Sequence, residues 1–189
     1  MGGRRTARTI VRAVMVIGVA LAVAAGVAIA TGRAMGLFSG KRPDSLGVTA
    51  GRLAPCKPSP NCVSSQADPS DAVHYIAPLP AGTDPNRTFG ELKEIVRDTP
   101  RVRVLADKSD YLYAEYRSRA FGFVDDVEFW LNSRAAVIHV RSASRLGYGD
   151  FGVNRKRIER IRARLTAAGR SRPGKGGKSR KIRWNRSIS

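Results

Sequence analysis

Apolar residues follow three different rhythms along this chain, and each rhythm predicts a different element. From Ala13 to Gly32 no residue is charged, and Val14, Val16, Ile17, Val19, Leu21, Val23, Val27 and Ile29 put apolar surface on every side of a helix. A helix apolar all round is a membrane span or a deeply buried core helix, and a bilayer core asks for about 20 such residues. Between Thr88 and Pro100, Phe89, Leu92, Ile95 and Val96 recur at helical spacing, and Thr88 followed by Glu91 makes a capping-box start. Four runs then have the chemistry of strands: Arg101–Ala106, Tyr111–Ser118, Gly122–Leu131 and Ala135–Ala143. Turns are expected at Lys108-Ser109, Phe121-Gly122 and Ser133-Arg134. After Gly152 the rhythm is helical again, with Ile158, Ile161 and Leu165 on one face of a basic helix. Connections this short make antiparallel neighbours. The expected fold is α+β: a single N-terminal transmembrane helix, then a four-stranded antiparallel meander with a helix at each end, both packed on one face.

The segments between these elements divide the chain. Residues 1–12 form a basic N-terminus, 13–32 the span, 33–52 a linker rich in Gly, Pro and Ser, and 53–168 the folded domain. Six prolines between Cys56 and Pro85 predict an extended, irregular lead-in to that domain. Residues 169–189 are mostly Gly, Ser, Lys and Arg with one Trp184, too polar to fold alone and expected to be disordered.

Pairing the last two strands about Ser133-Arg134 gives the central block two faces. Phe129 would face Ile138, and Val127 would face Val140, on the core side. On the other side Trp130 would meet Val137, Glu128 would meet His139, and Asp126 would meet Arg141, with Glu115 and Arg117 joining from the preceding strand. A slip of two residues keeps the faces but separates Glu128 from His139. Three readings of the polar face stand side by side. It could be a solvent-facing ladder of ion pairs. It could be a concavity for an anion, gripped in two-pronged fashion by Arg141 and Arg145. Or His139, with its proton affinity raised by Glu128 or oriented by Asp126, could do acid–base work in a hydrolase or isomerase. A serine next to Arg141 on a strand points away from that face, so Ser142 is badly placed as a nucleophile.

Charge alters the picture less than its total suggests. The net charge of +19 is concentrated at the ends: residues 1–52 carry eight basic and one acidic residue, and 169–189 carry eight basic and none. Residues 53–168 hold eighteen basic against fourteen acidic, which argues against a domain that reads nucleic acid. Arg4, Arg5, Arg8 and Arg12 before the span favour a cytoplasmic N-terminus and an exported domain. An uncleaved anchor competes with a signal peptide, for which Ala28-Ile29-Ala30 would supply a cleavage site. The address expected is the cytoplasmic membrane of a bacterium, single-pass, with the domain in the periplasm or outside. Cys56 and Cys62, with five residues between them, are then expected as a small disulfide loop, contributing about 2 kcal/mol or less because Pro58 and Pro60 already restrict it. No spacing of His, Cys and acids suggests a metal, and no Gly-rich loop suggests a cofactor. The basic tail could meet an anionic lipid or envelope ligand, or serve only as a solubilising end.

Several multi-residue motifs occur in order. They are Pro55-Cys56, Ser59-Pro60-Asn61-Cys62-Val63-Ser64-Ser65-Gln66, His74-Tyr75-Ile76-Ala77-Pro78, Phe121 through Phe129, His139 through Arg145, and Gly152 through Ile158. Between about Leu53 and Leu165 the chain resembles the family catalogued as domain of unknown function 1499. The resemblance implies a small, often membrane-associated or exported protein and no particular activity. It singles out Cys56, Cys62, Asp125, Asp126, Glu128, His139, Arg141, Ser144, Arg145, Asn154 and Arg155 as motif positions without giving them roles. The expected function is a non-catalytic binding module for an anionic ligand or an envelope partner. Arg141, Arg145, Asn154 and Arg155 are the ligand residues, with Arg157 beside them.

Overall fold

A computed structural model describes residues 3–34 and 36–170; the tail with Trp184 lies outside the described residues. Helix α1 (Gly3–Ala34) contains one apolar stretch, Ile10–Gly32, with mean hydropathy 2.6, exposed along nearly all of its length and met by the rest of the chain at its end, Gly32. Among the described residues it is the one helix long and apolar enough to cross a membrane, and it suits a membrane anchor or a signal sequence.

The remainder is α+β, with an antiparallel sheet of six strands rather than the four-stranded meander expected. The meander itself is present: β3 (Val102–Asp107), β4 (Tyr111–Arg117), β5 (Val124–Asn132) and β6 (Val137–Ser144) pair in sequence. The two further strands, β1 (Cys62–Ser64) and β2 (Leu79–Pro80), both lie along the outer edge of β6. They come from the proline-rich lead-in. Proline holds a chain extended but cannot donate to a ladder, so such a segment fits a sheet only as short edge strands.

Helix α2 (Pro85–Arg97) begins a turn earlier than the capping box at Thr88 suggests. Asp84 accepts a hydrogen bond from the Arg87 amide at 3.1 Å, and Pro85 occupies the first helical position, where no amide proton is needed. Thr88 lies inside the helix and donates its hydroxyl to the Asp84 carbonyl. Helix α3 (Val153–Arg170) starts from Asp150, whose carboxylate accepts the amides of Gly152 and Asn154. Both helices cover one face of the sheet. Phe89, Leu92, Ile95, Val96, Ile158, Ile161 and Leu165 join Leu112, Val127, Phe129, Ile138 and Val140 in the main core.

The β5–β6 register differs by two residues from the one expected. Phe129 faces Val140, Leu131 faces Ile138, Glu128 faces Arg141, and Trp130 faces His139. Asn132 and Val137 close the hairpin, which leaves a four-residue loop in which Ala136 has φ 51° and the Ala135 amide donates to the Asn132 side chain. A two-residue loop wants Asn-Gly or a similar pair that takes positive φ readily; Ser133-Arg134 offers neither. The loop widens, the faces are kept, and the Glu128–His139 pairing is lost.

The stretch from Lys41 to Leu53, within the segment expected as a linker, lies across the second face of the sheet. Leu46 and Leu53 pack with Tyr111, Tyr113, Leu105 and Trp130 in a second apolar cluster. A β-bulge between Val104 and Ala106 turns Leu105 toward this cluster.

Candidate functional site

Under that strap the polar residues of β4, β5 and β6 form a closed ionic network. Glu128 is fully buried and accepts hydrogen bonds from the Gly47 amide at 2.7 Å, the Tyr111 hydroxyl at 2.8 Å and Arg141 at 3.3 Å. Asp126 accepts from the Tyr113 hydroxyl at 2.6 Å and from two nitrogens of Arg145. Glu115 accepts from Arg145 and, at 2.7 Å, from Arg42 of the strap. Gly47 has φ 112°, a conformation that few residues other than glycine adopt, and this turns its amide toward Glu128. The polar face is therefore not a solvent-facing ladder. Three carboxylates and three guanidiniums neutralise one another beneath the strap.

The proton affinities follow from this packing. Burial works to raise the Glu115 carboxyl, but hydrogen bonds from Arg42 and Arg145 outweigh it and hold it below the usual carboxylate range. Burial also works against the Arg145 charge, and the bonds to Asp126 and Glu115 more than reverse that effect. Burial, followed by the nearby Glu128 carboxylate, pushes the Tyr111 hydroxyl up. Glu115, Arg145 and Tyr111 are thus each pushed further from a proton exchange near neutral pH, which suits structure better than proton transfer.

His139 stands apart from these carboxylates. Its ring stacks on Trp130 with centroids 5.3 Å apart, and Nδ1 lies 3.2 Å from the Ser65 hydroxyl. Ser65 Oγ already accepts the Val140 amide, so its proton is free to go to His139. Burial, with the Arg52 charge second, lowers the affinity of His139 for a proton. This is the reverse of the rise expected beside Glu128. The acid–base grouping of His139 with Glu128 or Asp126 is not brought together.

The four expected ligand residues also part company. Arg141 and Arg145 lie under the strap, where a cleft of about 250 Å³ reaches them from Lys41, Lys57 and Ser144. Arg141 Nε has no hydrogen-bond partner among the described residues, while Nη1 of the same guanidinium donates to Glu128. Asn154 and Arg155 belong to the helix side of the sheet. Asn154 is fully buried and accepts from Ser142 at 2.6 Å while donating to the Asn61 carbonyl and Ser144, tying α3 to β1 and β6. Arg155 donates to the carbonyls of Ala72, Val73 and Tyr75. Ser142 points to the helix face, as alternation requires. Cys56 and Cys62 form the disulfide, beside a cleft of about 310 Å³ that reaches Gln66 and the Asp71–His74 pair. Among the described residues no three His, Cys, Asp or Glu side chains are grouped to hold a metal ion.

A second site lies where β3 begins and β4 ends, against α3. Here a cleft of about 420 Å³ is lined by Arg101, Arg117, Arg119, Arg157, Arg160 and Arg164, with Asp125 as its one carboxylate. Arg157 pairs with Asp125 and sits 4.7 Å above the ring of Tyr116. The Tyr116 hydroxyl is buried and makes no hydrogen bond of good geometry, the Thr99 side chain being the polar group that bears on it. Burial pushes it up to about 12, against the pull of Arg157, Arg164 and Thr99. Of these residues the sequence reading singled out Arg117, Arg157 and Asp125. The signal for the others was present: Arg157, Arg160 and Arg164 share a helix face at i, i+3 and i+7, and a β3–β4 hairpin must set Arg101 beside Arg117.

A membrane-type helix followed by a helix-backed antiparallel sheet, strapped over an ionic layer, defines the architecture. The chain belongs to the family described as Protein of unknown function (DUF1499), which matches residues 52–165. No curated protein and no solved structure matches it.

Proposed function

We propose that this chain is a membrane-anchored binding module of the cell envelope that takes an anionic ligand without catalysing a reaction on it. The observation that carries this reading is the arginine cleft, lined by six arginines and one carboxylate. A bound phosphate or carboxylate would offset that excess of positive charge. The network of Asp126, Glu128, Arg141 and Arg145 has no comparable excess, because its charges cancel internally. Arg4, Arg5, Arg8 and Arg12 ahead of α1 support an inside N-terminus in a bacterial cytoplasmic membrane. The Cys56–Cys62 disulfide supports a domain on the oxidising side, in the periplasm or outside.

The test is calorimetric titration of inorganic phosphate into the full chain held in neutral-lipid nanodiscs. Saturable binding is expected, weakened about tenfold or more, the equivalent of about 1.4 kcal/mol, when the exposed Arg119 and Arg160 are both changed to Ala. Heat no larger than dilution, or binding indifferent to those changes, would overturn the proposal.

A further inference from the structure

The two ends of the sheet differ in kind. At one end the β3–β4 and β5–β6 turns present Lys108, Ser109, Asp110, Ser133 and Arg134. At the other end the β4–β5 loop and the β6–α3 loop present apolar side chains to the surface. Phe151 is 96% exposed and Tyr148 79%, and Phe121, Phe123, Leu146 and Val153 are all substantially exposed. Beyond α1, the exposed large apolar residues among those described are these six, Leu37, and only Val48 and Val73 elsewhere. So concentrated an apolar surface, rimmed by Arg117, Arg119 and Arg160, marks a docking surface.

Its position identifies the occupant. The Phe38 ring lies over Gly32, the last residue of the apolar span, so closely that a Cβ there would stand 2.8 Å from the ring. Phe38 also meets Phe123 with centroids 5.5 Å apart and Phe121 at 6.4 Å. Gly40 runs against Arg145 and Leu146 of the other loop. The two apolar loops thus begin at the depth where α1 leaves the hydrocarbon, and the arginine cleft opens beside them at Ser118, Arg119 and Val153. Rings and arginines at that depth fit the interfacial zone of a bilayer, where amphipathic side chains settle and anionic headgroups attract guanidiniums.

We infer that this end of the sheet docks on the bilayer that α1 spans, with Tyr148 and Phe151 in the interface and the arginine cleft on an anionic phospholipid headgroup. The inference rests on reading α1 as an anchor and the cleft as an anion site, and it supplies the source of the anion. Docking also fixes the domain's orientation, holding the polar turns at Ser109 and Ser133 away from the membrane.

The experiment uses the full chain in nanodiscs, with a nitroxide on one introduced cysteine at a time: Val19→Cys, Tyr148→Cys or Ser109→Cys. The native cysteines, joined in the disulfide, do not react. Collisions with oxygen report lipid, and collisions with a nickel chelate report water. In discs containing phosphatidylglycerol, Val19 and Tyr148 are expected to favour oxygen severalfold over the chelate, and Ser109 the reverse. Val19 in lipid with Tyr148 as wet as Ser109 would overturn docking and leave the anchor and the anion site standing. Val19 in water would overturn the anchor and docking together. Replacing both Arg119 and Arg160 by Glu, or using purely zwitterionic lipid, is expected to release Tyr148 toward water. Lipid contact at Tyr148 unchanged by either would overturn the headgroup assignment.

Discussion

The two faces of the sheet are buried to a similar depth by opposite chemistry. On the helix side, α2 and α3 close over Leu112, Val127, Phe129, Ile138 and Val140, and the closing contact is mostly apolar, with Asn154 as its buried polar tie. On the strap side, a stretch without regular structure closes over Glu115, Asp126, Glu128, Arg141 and Arg145, and directional contacts from Arg42 and the Gly47 amide accompany the apolar packing of Leu46 and Leu53. An apolar face can be covered by any amphipathic helix. A charged face can be covered only by groups placed to meet its charges, here Arg42 and the Gly47 amide. The strap side is therefore the more specific and the less forgiving of the two.

The largest test of that difference is truncation on each side. Phe129→Ala should cost about 3–5 kcal/mol through the cavity it leaves. Glu128→Ala should cost about as much, roughly 3–5 kcal/mol, because Arg141 would stay buried without its partner. Urea unfolding of the full chain in detergent measures both. A cost for Glu128→Ala under about 1 kcal/mol is what an exposed ion pair would give, and it would abolish the contrast. Next in size is Gly47→Ala. A Cβ at Gly47 meets nothing within 4 Å, so its penalty is conformational, about 1–3 kcal/mol from φ 112°. The expected sign of strap release is faster hydrogen exchange at Gly47 and Leu53 with the helix-side core unchanged.

Acid should weaken the strap side first. The folded-state affinity of Glu115 for a proton is lowered from a reference of 4.5, so its stabilisation is complete above that pH and is lost as pH falls through the lower folded value. Glu115→Gln should flatten the stability profile below pH 4.5, whereas substitutions on the helix side should only shift it vertically. The smallest effect belongs to His139. Its folded value is lowered from 6.5, so stability is full above pH 6.5 and declines as pH falls below it. His139→Gln should remove that slope and leave the plateau nearly unchanged.

The same difference sets what the sequence could reveal. The helix-side core was legible because apolar spacing reports burial directly: α2, α3 and the four meander strands stand close to where their patterns placed them. The face carried by Asp126, Glu128 and Arg141 was legible as a face but not as a buried one, because alternation does not say what covers the polar side. Lys41 to Leu53 gave no periodic signal, since its contacts are single points such as Arg42 to Glu115. The β5–β6 register turned on the loop at Ser133–Ala136, whose conformation depends on Ala136 taking a positive φ that no residue type there advertised. The arginine cleft gathers residues from the turn before β3, from β4 and the loop after it, from β5 and from α3, and only the assembled fold brings Arg101, Arg119 and Arg160 together.

The contrast between a closed ionic layer and an open arginine cleft is tested most directly by one titration. Inorganic phosphate is added to the isotopically labelled full chain in neutral nanodiscs, and backbone amide shifts are followed residue by residue. The account predicts saturable shifts at Arg101, Arg117, Arg119 and Arg160, with Asp126, Glu128, Arg141 and Arg145 unmoved. Shifts at Arg141 and Arg145 with none at the cleft would contradict it and return the binding site to the face beneath the strap.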